Sequence, residues 1–455
     1  MKDLTSGSIP KHILRLAIPM AAGMIFQTMY YLVDLFFVAK LGDATVAGVS
    51  SAGNVQFVVM SLTQILGVGT MALIAQAVGR KDRDDANLVF NQSTLLAAAC
   101  SVLVLVGGLI LSPVYMAAVG ADAATVDAGS AYLRAYVPGL ALQFPLVTMG
   151  AALRGTGIVK PTMVVQMLTV GVNIVLAPML IAGWGTGHPM GAAGAGLASS
   201  IAIGLSVVLM TIYFLRLEHY VAFSTALMRL RGAVLKRILA IGVPPGIEFA
   251  LMFVSTALTY YVIRNFGAAS QAGYGIGSRV LQAILMPVMA ITFSAAPLAG
   301  QNFGAGHFAR VRDTFKWAVI YACVPMALLT VVCQIRPDLP IGVFTTEAPV
   351  VAVGADFLRI ISFNFVATGL VFTCSGMFQA LGNTVPSMIS SAVRLLSYGL
   401  PALWLSSRAG FEIRHIWYLA VAAAAGQAAL SVWMLRAALP KGDRVATPAG
   451  AAHAM

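Results

Sequence analysis

"AIPMAAGMIFQTMYYLVDLFFVAKLG", residues 17–42, is long enough to cross a bilayer as a helix, yet it carries an acid, Asp34, inside the apolar run. About twenty predominantly apolar residues suffice for such a crossing. A carboxylate at that depth costs about 3 kcal/mol on insertion scales, so its presence asks for a role. Gln27, Tyr30, Tyr31 and Asp34 recur at three- and four-residue spacing and therefore share one helix face. The functional reading is a carboxylate that takes up and releases a proton beside a polar wall. The structural reading is an acid locked in an ion pair, although no basic residue lies on its own face within the run.

The rest of the chain has the same character. Of 455 residues, 59% are hydrophobic and 10% charged, whereas soluble domains carry about a quarter charged residues. The composition predicts an all-α polytopic membrane protein embedded in the lipid bilayer. A net charge of +12 could suggest nucleic acid, but the basic residues fall in short loops between apolar runs, so no nucleic acid is expected. Cys100, Cys323, Cys333 and Cys374 all lie in apolar runs without a CxxC pair, and the six histidines sit in loops or tails. No metal site and no cofactor is expected from that pattern. The basic start followed by a long apolar run reads as a retained first span. No GxxxxGK[ST] loop is present, so an ion gradient or the substrate's own gradient is the expected energy source.

Twelve runs can cross a membrane: near 14–39, 52–78, 89–111, 131–154, 160–182 and 191–215, then 236–262, 277–300, 313–335, 356–380, 386–407 and 414–437. The even-numbered loops and both tails hold most of the Lys and Arg, including Arg80, Lys81, Arg154, Arg229, Arg231, Lys236 and Arg237; the opposite side holds only Lys40, Arg264, Arg336, Arg408 and Arg414. This asymmetry predicts cytoplasmic termini.

Displacing the chain by 225 residues aligns its halves without a gap, matching Pro19 with Pro244, Gly42 with Gly267, Gly48 with Gly273, Gln76 with Gln301, Gly157 with Gly382 and Pro161 with Pro386. Two six-helix repeats around a central cavity are expected, the layout of a secondary transporter. The predicted division is 1–215 for the first repeat, 216–237 for a basic linker, 238–437 for the second repeat and 438–455 for a disordered tail.

Three stretches carry a resemblance: the proline, buried acid and Leu-Gly exit of residues 17–48; "AQAVGRKDRDDA", echoed by "GQNFGAGHFARV"; and "ALRGTGIVKPTM", echoed by "ALGNTVPSM". At these spacings the chain resembles the multidrug and toxic compound extrusion (MATE) family over nearly its full length. The resemblance implies a twelve-helix antiporter of the bacterial inner membrane, exporting small amphipathic or cationic compounds against H+ or Na+. It maps the family's first-span aspartate onto Asp34, its fifth-span asparagine onto Asn173 and its sixth-span hydroxyl onto Ser199. Ala177 stands where the family's fifth-span pattern has an acid, which weakens a cage of hard oxygen ligands and favours H+ over Na+. Asn173 could equally be packing glue between helices.

Glu248, in "GVPPGIEFALMF", is the second acid well inside a run. Either Arg279 or Arg394 pairs with it, or it stays free to meet a cationic substrate. Asn54, Ser61 and Gln64 in the second run, with Arg279, Met286 and Met289 in the eighth, are read as a cavity wall or as helix–helix contacts. Nothing specifies an oligomer, and a monomer is expected. The nearest rival reading is a flippase of a lipid-linked precursor.

Overall fold

The computed structural model describes residues 1–440 except 186, 219 and 409, and the side chains of residues 30–35 also lie outside the described set. The expectations for the side chains of Tyr30, Tyr31 and Asp34, and for the tail beyond residue 440, fall outside it. Fifteen α-helices occur among the described residues. They run α1 Ile9–Ala39, α2 Asp43–Gly53, α3 Val55–Gly79, α4 Arg83–Val119, α5 Ala123–Gly155, α6 Lys160–Ile181 and α7 Gly191–Arg216. There follow α8 Gly232–Ile263, α9 Ala268–Gly304, α10 Phe308–Ile335, α11 Asp338–Gly342, α12 Ala348–Ile361, α13 Asn364–Leu381, α14 Val385–Ser406 and α15 Ile413–Ala438. Twelve stretches are long and apolar enough to cross a membrane.

Several helices outrun their apolar cores because polar ends can be capped in water. Asp82 starts α4 by accepting from the Asp85 amide at 3.0 Å, and Asp122 starts α5 by accepting from Thr125 at 2.7 Å. Along α4, Val102, Leu103, Ile110 and Leu111 are exposed, as suits a surface solvated by hydrocarbon.

Two expectations need correction. The second span is two helices: Asn54 closes α2 and α3 follows, so only Ser61 and Gln64 of the expected trio sit together on α3. The tenth span is likewise broken, into α12 and α13, at Ser362 and Phe363. There Ser362 accepts at its carbonyl from Thr330 at 2.8 Å and at its hydroxyl from Gln334 at 2.8 Å, which supplies partners for polar groups at the interruption.

The chain forms two compact units, Met1–Asp3 with Ile18–Val78 and Asp82–Gly246, and Leu4–Ala17 with Gly79–Lys81 and Ile247–Met455. Their division cuts α1 between Ala17 and Ile18 and α8 between Gly246 and Ile247, in each case within two residues of a proline. In the first unit α5 packs against α2, α4 and α7 around Tyr132, Leu140, Phe144 and Leu153, all buried. The first turns of α8 approach α3 almost backbone to backbone: a Cβ on Gly242 would lie 1.8 Å from the Ile65 carbonyl oxygen, and one on Gly69 would lie 2.3 Å from that of Ile238. In the second unit α9 packs against α10, α12 and α13, and Trp417 is wholly enclosed between Tyr274 and Phe357.

The 225-residue displacement holds down to single contacts within each unit. Gly42 and Gly267 take nearly the same left-handed backbone, φ 97° and ψ 166° against φ 87° and ψ 172°, before α2 and α9. A Cβ on Gly48 would strike the Thr125 carbonyl and the Gly129 amide; one on Gly273 would strike the Val350 carbonyl and the Gly354 amide, each partner 225 positions on.

The linker after α7 is not a loose tether. Four side chains of α4 take up its backbone, Arg83 donating to the Tyr220 carbonyl at 3.1 Å. Asn87 donates to the Tyr220 carbonyl at 3.0 Å and accepts from the Ala222 amide at 2.8 Å. Asn91 donates to Ala222 at 2.9 Å and accepts from Ser224 at 2.8 Å. Gln92 donates to Leu227 and Arg229, both at 2.7 Å, and accepts from Arg231 at 2.9 Å. An Asp85–Arg237 ion pair at 3.2 Å closes the series.

Candidate functional site

In the second unit, four helices converge on Glu248. Ser387 of α14 donates to its Oε2 at 2.8 Å, Ser375 of α13 approaches the same oxygen at 3.3 Å, and Ser391 of α14 donates to Oε1 at 3.4 Å. Behind Ser391 stands Gln427 of α15, which donates to it at 3.1 Å and accepts from Arg394 at 3.4 Å. Every donor in the series Arg394, Gln427, Ser391 points toward the carboxylate, so the guanidinium acts on Glu248 through two neutral groups. Neither arginine pairs with Glu248 directly among the described residues; Arg279 is exposed on α9.

Ser375 and Ser387 are 2.8 Å apart and each has one hydroxyl proton. With an ionised carboxylate, Ser387 donates to Glu248 and accepts from Ser375. With a protonated carboxyl group the sequence can reverse, Glu248 donating to Ser387 and Ser387 to Ser375. The cluster therefore accommodates either state of the acid.

Ser375, Ser387, Ser391 and Gln427 escape the sequence reading. A serine in an apolar run is ordinary alone, and only the meeting of three helices makes these a carboxylate cradle. Displaced by 225, Glu248, Ser375, Ser387 and Ser391 correspond to Gly23, Gly150, Thr162 and Gln166.

Those four residues lie in the first unit, where Gly150 borders Arg154 and Thr162, and Gly23 borders Gln166. Arg154, expected in a loop, belongs to the last turn of α5, and its guanidinium runs back along the helix. A Cβ on Gly150 would lie 3.5 Å from its Nη1, and one on Gly67 would lie 3.9 Å from its Nη2 and from the Gln64 amide oxygen. Gln166 of α6 donates to Gln27 of α1 at 3.3 Å, so two expected wall residues, Gln27 and Gln64, belong to this polar region. Deeper in the unit, Asn173 of α6 and Ser199 of α7 are both buried. Among the described residues neither amide atom of Asn173 has a hydrogen-bond partner, and Ala177, one turn on, is fully enclosed. Met286 and Met289 are half-buried on α9.

Comparison with known proteins agrees with this architecture. The MatE family profile matches residues 19–179 and 244–405, one match in each half. The multidrug export protein MepA of Staphylococcus aureus strain N315 is 26% identical over 441 residues, 94% of either chain. Its counterpart from Staphylococcus saprophyticus is 25% identical over 380 residues, 82% of either chain. An outward-facing multidrug resistance MATE transporter superposes with a TM-score of 0.89 at 24% identity, over 96% of this chain and 98% of that one. A MATE protein in a bent conformation gives 0.90 at 23% identity, over 96% of each. This multi-pass membrane protein belongs to the MatE family of multidrug-efflux transporters.

Proposed function

We propose that the chain is a proton-coupled antiporter of the bacterial inner membrane, exporting small amphipathic or cationic compounds by alternating access, with both termini cytoplasmic. Asn173 carries the reading. An enclosed amide without partners among the described residues would cost about 1–3 kcal/mol, a penalty tolerated where the missing partner comes and goes. The same unit contains Asp34, the α1 acid, and the family correspondence joins Asp34, Asn173 and Ser199 as the coupling group. The fully enclosed Ala177 removes a carboxylate that sodium would use, which favours the proton. One proton moving inward supplies about 2.3 kcal/mol per 100 mV, and it biases the cycle only through unequal affinity for its two states. Glu248 serves as the substrate-side acid, its carboxylate available to a cation because no arginine pairs with it directly among the described residues. The drug-export relatives do not favour the flippase reading.

The test is ethidium efflux from proteoliposomes under an imposed pH gradient with sodium absent. Wild-type transport lost in Asp34→Asn supports the coupling role; equal rates in the two proteins refute it. Glu248→Gln should retain gradient-dependent proton coupling while weakening ethidium binding.

A further inference from the structure

Arg154 is the cation that the coupling reading leaves unused. It has no hydrogen-bond or ion-pair partner among the described residues, although it is only partly accessible. Arginines near the ends of membrane helices usually extend toward water. This one turns back along α5, and the space it enters is made by missing side chains. Gly150 and Gly67 leave room for the guanidinium, as the 3.5 and 3.9 Å separations from their hypothetical Cβ atoms show. Thr162, whose hydroxyl is buried without a partner among the described residues, also borders the Gly150 position, its Oγ1 4.0 Å from the same hypothetical Cβ.

The repeat relation gives this arrangement chemical meaning. In the second unit the corresponding positions hold a carboxylate, Glu248, and a hydroxyl, Ser375; in the first unit both positions are glycine, Gly23 and Gly150. Gln379 corresponds to Arg154. The repeat thus sets a carboxylate, Glu248, beside Ser375 in one unit and a guanidinium, Arg154, beside the corresponding Gly150 in the other.

We infer that Arg154, with Thr162 and Gln64, recognises the carboxylate of a transported amphiphile, so that the substrates include organic anions and zwitterions. A guanidinium presents paired donors that match a carboxylate, and the neighbouring hydroxyl and amide supply further polar contacts. The inference rests on the efflux reading of the chain but not on which ion drives it.

The test compares 1-pyrenebutyrate with uncharged 1-pyrenebutanol, binding being read by tryptophan-to-pyrene energy transfer in phosphatidylcholine nanodiscs without a gradient. The wild type should bind the acid about tenfold more tightly than the alcohol, a difference of the size a charge-assisted pair provides. Arg154→Gln should erase that preference, and Arg154→Lys should keep part of it. Gly150→Val, which fills the cradle and leaves the charge, should erase it too and guards against misfolding of the first variant. Ethidium efflux by the wild type, measured in proteoliposomes from the same preparation, separates the two readings: its absence counts against the efflux reading, whereas the acid-over-alcohol preference is read without transport. Equal wild-type affinities for the two probes, or a preference surviving in both Arg154→Gln and Gly150→Val, overturn the inference. Loss of the preference on adding phosphatidylglycerol would assign the cradle to a lipid headgroup and also overturn the substrate reading.

Discussion

Replacing Gln92 by leucine should free the linker locally while leaving the helices intact. The side chain is fully buried and makes three bonds to linker backbone, to the carbonyls of Leu227 and Arg229 and to the amide of Arg231. A typical hydrogen bond contributes about 1 kcal/mol net, so three bonds amount to about 3 kcal/mol. Arg229 and Arg231 are exposed, so water can replace part of that loss, and about 2–3 kcal/mol is the working figure. Since 1.4 kcal/mol corresponds to tenfold, local opening should increase by roughly 30- to 150-fold. Hydrogen–deuterium exchange on peptides spanning residues 220–235 reads this directly. Faster exchange should be confined to the linker, with peptides from α5 unchanged. If the amide of Arg231 exchanges at the wild-type rate in Gln92→Leu, the three bonds do not hold the linker and the reasoning fails.

Two further outcomes follow from close contacts and caps. Gly242→Ala puts a methyl group 1.8 Å from the Ile65 carbonyl oxygen and should destabilise the first unit by about 3 kcal/mol, visible as a lowered melting midpoint in detergent; an unchanged midpoint would show that α8 shifts freely on α3. The Thr125 amide bond holds the exposed Asp122 carboxyl below its ordinary range. A depressed folded value means that the cap's contribution is complete above the unfolded value and is lost as pH falls through the folded one. Asp122→Asn, which keeps an acceptor at the same place, should flatten that acid-side loss, and a stability profile identical to wild type would refute the assignment.

The crossings were legible because hydrocarbon demands long uninterrupted apolar runs, and the repeat was legible because glycines at close contacts tolerate few alternatives. Gly48 and Gly273 show this best: each marks the same backbone approach in its own unit. The breaks at Asn54 and Ser362 were not legible, since neither stretch carries a proline at the interruption and the partners of Ser362 come from α10 and α12. At the candidate site, Glu248 stood out as an acid in an apolar run. Its serine cradle did not, because Ser375, Ser387 and Ser391 become informative only when α8, α13 and α14 meet. Arg154 was misplaced for a related reason: a residue at the end of an apolar run can extend either way, and two glycines decided which.

The α4 amides have a consequence for how the linker tolerates change. Asn87, Asn91 and Gln92 address carbonyls and N–H groups, which every residue except proline supplies in full. With Arg83 on the Tyr220 carbonyl as well, the path of residues 220–231 is therefore written in side chains outside the linker. Most single replacements within it should leave its course unaltered, whereas a proline at Ala222, Ser224 or Arg231 would erase one of the letters being read.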